Sequence, residues 1–124
     1  MTTTIDKYKW LNGIQNAIQE IANSEFQERV WVRGEGPEVS SFTEAICRLF
    51  DDYNFDDFLD EHWHIFGLSS QLYRMLRKLR NLLNEYEEKE TDAEIVKDEK
   101  WDEIREYAKD VLQEFDRELK AVSR

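Results

Sequence analysis

The sequence predicts an all-α protein, a single domain over residues 1–124 built as a bundle of about five helices with a Gly/Pro loop at 33–40. Apolar residues recur three and four apart along most of the chain, the period of a helix with one buried face. Two helix-starting boxes, Ser41-Phe42-Thr43-Glu44 and Thr91-Asp92-Ala93-Glu94, stand before apolar runs. The only proline and two of the four glycines fall together in Arg33-Gly34-Glu35-Gly36-Pro37, which marks the clearest loop.

The first helix follows from Ile5, Tyr8, Leu11, Ile14, Ala17, Ile18 and Ile21, with Gly13 weakening it slightly. Residues 26–32 read two ways. Phe26, Val30 and Trp31 suit a helix, whereas Val30-Trp31-Val32 suits a short strand. Helix is the better reading, because no second strand is available to pair with it. Ser41 then caps a helix whose buried face is Phe42, Ile46, Leu49 and Phe50. Asn54 is read as the cap of a short helix through Phe58, Leu59 and Trp63, ended by Gly67. Ser69 or Ser70 starts the clearest helix, with Leu72, Met75, Leu76, Leu79, Leu82, Leu83 and Tyr86 spaced as a heptad seam. From Thr91 a long final helix carries Ile95, Trp101, Ile104, Ala108, Val111, Leu112, Phe115, Leu119 and Val122, bent near Asp98.

Charge sets the functional question. The net charge is −11, and the segment from Glu35 to Glu61 carries −8 of it. Glu35, Glu38, Glu44, Asp51, Asp52, Asp56, Asp57, Asp60 and Glu61 there face one base, Arg48. Phe42, Ile46, Leu49, Phe50, Tyr53, Phe55, Phe58 and Leu59 run through the same segment, so the charge belongs to folded structure rather than to a disordered tail. Such a balance disfavours direct contact with nucleic acid or anionic lipid, which select cationic surfaces. No apolar run is long enough to cross a membrane. The N-terminus lacks the basic start and apolar stretch of a signal peptide, so the expected location is cytoplasmic. A single cysteine, Cys47, excludes an internal disulfide and a cysteine zinc site.

Catalytic chemistry finds little support. Asp52, Asn54, Asp56 and Asp60 match four positions of an EF-hand calcium loop. The turn position, however, is Asp57 instead of Gly, and the bidentate position is Trp63. Glu61 and His64 have the i, i+3 spacing of di-iron bundles, but the second copy and the extra carboxylates are missing. His62 and His64 are expected to be surface or capping residues. Cys47 borders the apolar face next to Ile46 and reads as a small buried hydrophobe. There is no Gly-x-Ser-x-Gly elbow and no phosphate loop. The chain therefore reads as a non-enzyme without metal or cofactor.

Arg74, Arg77, Lys78, Arg80 and Asn81 form a basic stretch, expected to answer acidic neighbours between Asp56 and Glu61. Trp10, Trp31, Trp63 and Trp101 are a heavy aromatic load and should be mainly core. Phe55 and Phe58 are likewise expected in the core. Tyr53 stands among acids, as an anchor would on a surface that captures a basic protein.

In type, being small, acidic, helical and without catalytic residues, the chain is similar to bacterial immunity proteins, although no family motif aligns along it. The leading expectation is accordingly an immunity protein or antitoxin that inhibits a basic, nuclease-type toxin by covering its active site with carboxylates. Its partner surface would use Glu35, Glu38, Asp51, Asp52, Tyr53, Asp56, Asp57, Asp60 and Glu61. The partner would be a basic protein, with no direct nucleic acid and no membrane, and the chain itself a monomer or weak dimer. The alternative is a structural or regulatory helical module that self-associates or pairs with a scaffold. A small metal-dependent helical enzyme comes third.

Overall fold

Asn23 and Asp98 are where the chain departs from a simple run of long helices. The computed structural model describes the backbone of residues 3–122 and the side chains of residues 8–121. Among them are seven α-helices and no strand. Helix α1 is Thr3–Ala22. Helix α2, Ser24–Phe26, runs into a π-helical turn at Gln27–Val32, so residues 26–32 are helical as expected. Helix α3, Phe42–Cys47, continues through a π turn at Arg48–Asp52. Helix α4, Phe55–Asp57, continues through a π turn at Phe58–His62 and a 3₁₀ turn at Trp63–Ile65. Helices α5 (Ser70–Glu85), α6 (Asp92–Lys97) and α7 (Glu99–Val122) complete the chain.

Local chemistry explains the extra breaks. Asn23 leaves helical geometry and its side chain accepts from the Phe26 N–H at 3.0 Å, restarting the helix as α2. The expected bend at Asp98 is a full break, with ψ of 128°. One carboxylate oxygen of Asp98 accepts from the Lys100 N–H at 3.2 Å, and the other accepts from the Tyr86 hydroxyl at 2.8 Å. Thr91 and Glu94 close their capping box in both directions, and Ser41 Oγ accepts from the Glu44 N–H. Asn54 does not cap with its side chain. It takes a left-handed conformation instead, φ 49°, which turns α3 into α4.

The core draws buried residues from six of the seven helices, with Phe26 of α2 packed against its edge. Helix α7 packs along α1 and against α5, while α6 closes onto the π turn of α2. Leu11, Ile14, Ala17, Ile18 and Ile21 of α1 are buried, as are Leu72, Leu76, Leu79 and Leu83 of α5. Each of these Leu and Ile side chains contributes about 1.5–3 kcal/mol on burial. Trp101, Phe55, Phe58 and Phe115 are the largest fully buried rings. Met75, Leu82 and Tyr86 lie partly buried at the edge of the α5 seam. The side chains of Ile5 and Val122 lie outside the described residues.

Three polar hubs tie the helices together, two of them, Gln27 and Glu118, buried. Gln27 is fully buried; its amide nitrogen donates to the Glu20 and Ile21 carbonyls at 2.8 and 2.9 Å, satisfying the end of α1. Its oxygen accepts from Trp101 Nε1 and Arg105 Nη1, each at 3.0 Å. Glu20 accepts from Trp31 Nε1 at 2.9 Å, from Ser40 Oγ at 2.5 Å, and pairs with Arg48. Glu118 fastens α7 to the start of α5 by accepting from the Ser69 N–H and hydroxyl.

Gly13 has a packing reason for being glycine. A Cβ there would lie 2.1 Å from Tyr53 Cε1, so the Tyr53 ring rests directly on the α1 backbone.

Candidate functional site

The acidic segment divides into carboxylates that the chain itself answers and carboxylates that it leaves open. In the loop, Arg29 pairs with Glu38 at 2.9 Å and with Glu25 at 3.3 Å, and also donates to the Glu35 carbonyl. The Arg29 guanidinium hydrogen-bonded to Glu38 holds that carboxyl below its usual range. Glu35 pairs with Arg33 at 3.1 Å. Asp56 and Asp60 converge on Arg80, at 3.2 and 3.0 Å, which answers the acids of α4 as the sequence suggests. Asp57 lies 3.3 Å from His62 Nε2.

Arg48, the one base within the segment, turns away to Glu20. Glu44, Asp51, Asp52 and Glu61 are exposed and take no cation among the described residues. The geometry of α3 produces this. Phe42, Ala45 and Leu49 form its buried stripe, so Glu44, Cys47 and Asp51, at i, i+3 and i+7, share the wet face. Cys47 is thus exposed, which corrects its reading as a buried hydrophobe. Partial desolvation first, then the charge of Asp51 with a hydrogen bond to it, push the thiol above its ordinary value.

The aromatic residues separate by role. Phe55 and Phe58 are fully buried and belong to the core. Tyr53 is only partly buried, and its carbonyl accepts from Trp10 Nε1 at 2.6 Å. Trp10 meets the His62 ring at 5.2 Å, so His62 packs on an aromatic neighbour while His64 stays exposed. Beside Tyr53 a cleft opens, lined by Lys9, Trp10, Asp52, Tyr53 and Asn54. The glycine at position 13 is the sequence signal of this close approach, since glycine inside a helical pattern marks a packing need.

On α5, Arg74, Arg77, Lys78 and Asn81 are exposed. Arg77 lies over the Tyr73 ring at 5.5 Å and Lys78 over Tyr107 at 4.9 Å, which holds their apolar stems against the surface.

The four matched positions of the incomplete calcium loop, Asp52, Asn54, Asp56 and Asp60, form no ligand cluster among the described residues. Asp56 and Asp60 are drawn to Arg80, and no cluster of three or more metal-ligating side chains occurs among the described residues. No described helix is long and apolar enough to cross a membrane. What the surface offers chemically is a field of fixed negative charge beside half-exposed aromatic rings. Neither a curated protein nor a solved structure matches the chain. Residues 5–118 match the family described as Domain of unknown function (DUF7945), and the chain belongs to that family.

Proposed function

We propose that this protein is a non-enzymatic binding protein of the cytoplasm that neutralises a basic protein partner. In its most concrete form it is an immunity protein or antitoxin that blocks a nuclease-type toxin by covering its active site with carboxylates. The supporting observation is the set Glu44, Asp51, Asp52 and Glu61, exposed on helical segments and unmatched by any cation among the described residues. Glu35, Glu38, Asp56 and Asp60 already have internal partners. They shape the rim of the surface more than they supply its free charge. A nuclease holds anionic substrate with Lys and Arg, so a rigid carboxylate array competes for the same groups and associates quickly through its field.

A self-associating helical module has less behind it. The leucine seam that would mediate it, Leu72, Leu76, Leu79 and Leu83, is covered by the chain's own core, and exposing it would oppose folding.

Affinity capture from the source cell at low salt, repeated at high salt, tests the proposal. A basic protein retained at low ionic strength and released at high salt is the expected outcome. Retention of a partner indifferent to salt would contradict it.

A further inference from the structure

The open acidic surface borders a concave spot, and aromatic rings distinguish it from the carboxylates around it. Lys9, Trp10, Asp52, Tyr53 and Asn54 line a cleft where α1 meets the turn from α3 to α4. Its wall is held in place from behind. The Trp10 indole N–H donates to the Tyr53 carbonyl at 2.6 Å, and the Trp10 ring packs edge-on against Phe58 and Phe66. The Tyr53 ring is seated on Gly13. Both rings are nevertheless only partly buried. The π turn of α3 ends at Asp52, and the left-handed Asn54 reverses the chain just beyond it. Asp52 on the rim takes no cation among the described residues.

We propose that this cleft receives an arginine side chain of the basic partner, an inference that rests on the partner-binding reading above. A guanidinium stacks on aromatic faces, is weakly hydrated, and forks onto a carboxylate with paired N–H donors. The parts of the Trp10 and Tyr53 rings left open beside His62 and Gly13 provide the aromatic contact, Asp52 provides the acceptor, and Glu44, Asp51 and Glu61 add an attractive field. Because the rings are fixed before binding, little ordering entropy is lost on capture. Lys9 sits on the same cleft and opposes a cation, so it tunes the affinity downward and reports the sign of the occupant.

The probe is a blocked Gly-Arg-Gly peptide titrated into the full chain, read from the Trp10 indole N–H signal in a nitrogen-15 spectrum. Disappearance of one indole signal in Trp10→Phe assigns it. A saturable shift is expected, weakened roughly three- to tenfold in Asp52→Asn and strengthened in Lys9→Gln. The same peptide with citrulline, which keeps the shape and loses the charge, should give no saturable shift. Both substituted residues are exposed, so these variants keep the fold. Equal response to citrulline, or a response lost in Lys9→Gln, overturns the proposal; the latter would mark the cleft as an anion site. Against the captured protein partner, the pair Asp52→Asn and Lys9→Gln is compared with Glu44→Gln, Asp51→Asn and Glu61→Gln combined. Affinity lost in the triple variant yet unchanged in both cleft variants overturns the arginine cleft and spares the surface. A saturable arginine response beside unchanged partner affinity in the triple variant supports the cleft and overturns the surface.

Discussion

Trp101 donates its indole N–H to Gln27 Oε1 at 3.0 Å across 74 positions of sequence, joining the last long helix to the turn that follows the first. Gln27 also takes Arg105 and satisfies two carbonyls at the end of α1. Truncating it strands several buried polar groups at once. Gln27→Ala should cost about 3 kcal/mol or more, since each buried group left unsatisfied costs about 1–3 kcal/mol. Urea unfolding measures this, and a loss below about 1 kcal/mol would remove Gln27 from its place as organiser of the core.

Gly13 and Tyr53 give a coupled test. Alanine in a helix is ordinarily better than glycine by about 1 kcal/mol. Here Gly13→Ala should destabilise by about 1–3 kcal/mol, because its Cβ would fall 2.1 Å from the Tyr53 ring. Made in a Tyr53→Ala background, the same substitution should turn neutral or stabilising. Identical effects of Gly13→Ala in the two backgrounds would show that the ring does not rest there.

Core and surface of α5 should respond differently. Leu79 is fully buried, so Leu79→Ala should cost about 2–5 kcal/mol. Arg77 is exposed, and Arg77→Ala should stay within the ~0.5 kcal/mol usual for surface changes. Parallel thermal melts of the two variants settle which face is buried.

The link between Tyr86 and Asp98 should make stability depend on pH at both extremes. Burial first, then the hydrogen bond to Asp98, raises the Tyr86 phenol above its ordinary value of 10.0. Its contribution is therefore complete below about pH 10 and is lost as pH rises beyond that. The hydrogen bond from Tyr86 lowers the Asp98 carboxyl below its ordinary 3.8, so that contribution is present above about pH 4 and lost as pH falls through the folded value. Melting temperature followed across pH should fall at both ends, and Tyr86→Phe should flatten the alkaline limb. An unchanged alkaline limb in Tyr86→Phe would assign that fall to other groups.

What the sequence could reveal tracks how local each cause is. The α5 seam is legible because helical period and burial coincide at Leu72, Leu76, Leu79 and Leu83. The break at Asp98 is only partly legible, since the apolar period runs on from Ile95 to Trp101. The Tyr86 hydroxyl that Asp98 holds comes from the extended residue just past the end of α5. Gln27 escapes any hydropathy pattern, because a polar residue is placed in a core by partners distant in sequence. Cys47 is misread from its neighbours Ile46 and Phe50, both only partly buried, while the true stripe passes through Ala45 and Leu49. At the surface, the excess of acid is legible. Which carboxylates stay free is not, because Arg29, Arg33 and Arg80 lie outside the acidic segment.

That division yields the sharpest test of the proposed function. The acids of the segment fall into a free set and a paired set, and neutralising each should have opposite consequences. Glu44→Gln, Asp51→Asn and Glu61→Gln together remove like charges that repel one another and that pair with no cation among the described residues. Stability should stay level or rise slightly. Binding of a basic partner should weaken mainly through slower association, with a shallower dependence on salt. Asp56→Asn with Asp60→Asn instead strips both partners from Arg80, whose side chain is only 12% exposed. Removing both partners of a largely buried cation is destabilising, so this pair should lower the melting temperature while changing association less than the free set does. Stopped-flow association rates and thermal melts on the two variants give the comparison directly. Should the free-set variant bind as fast as the parent at low salt, the exposed carboxylates are not the recognition surface. Capture of a cationic partner would then have to be sought elsewhere on the molecule.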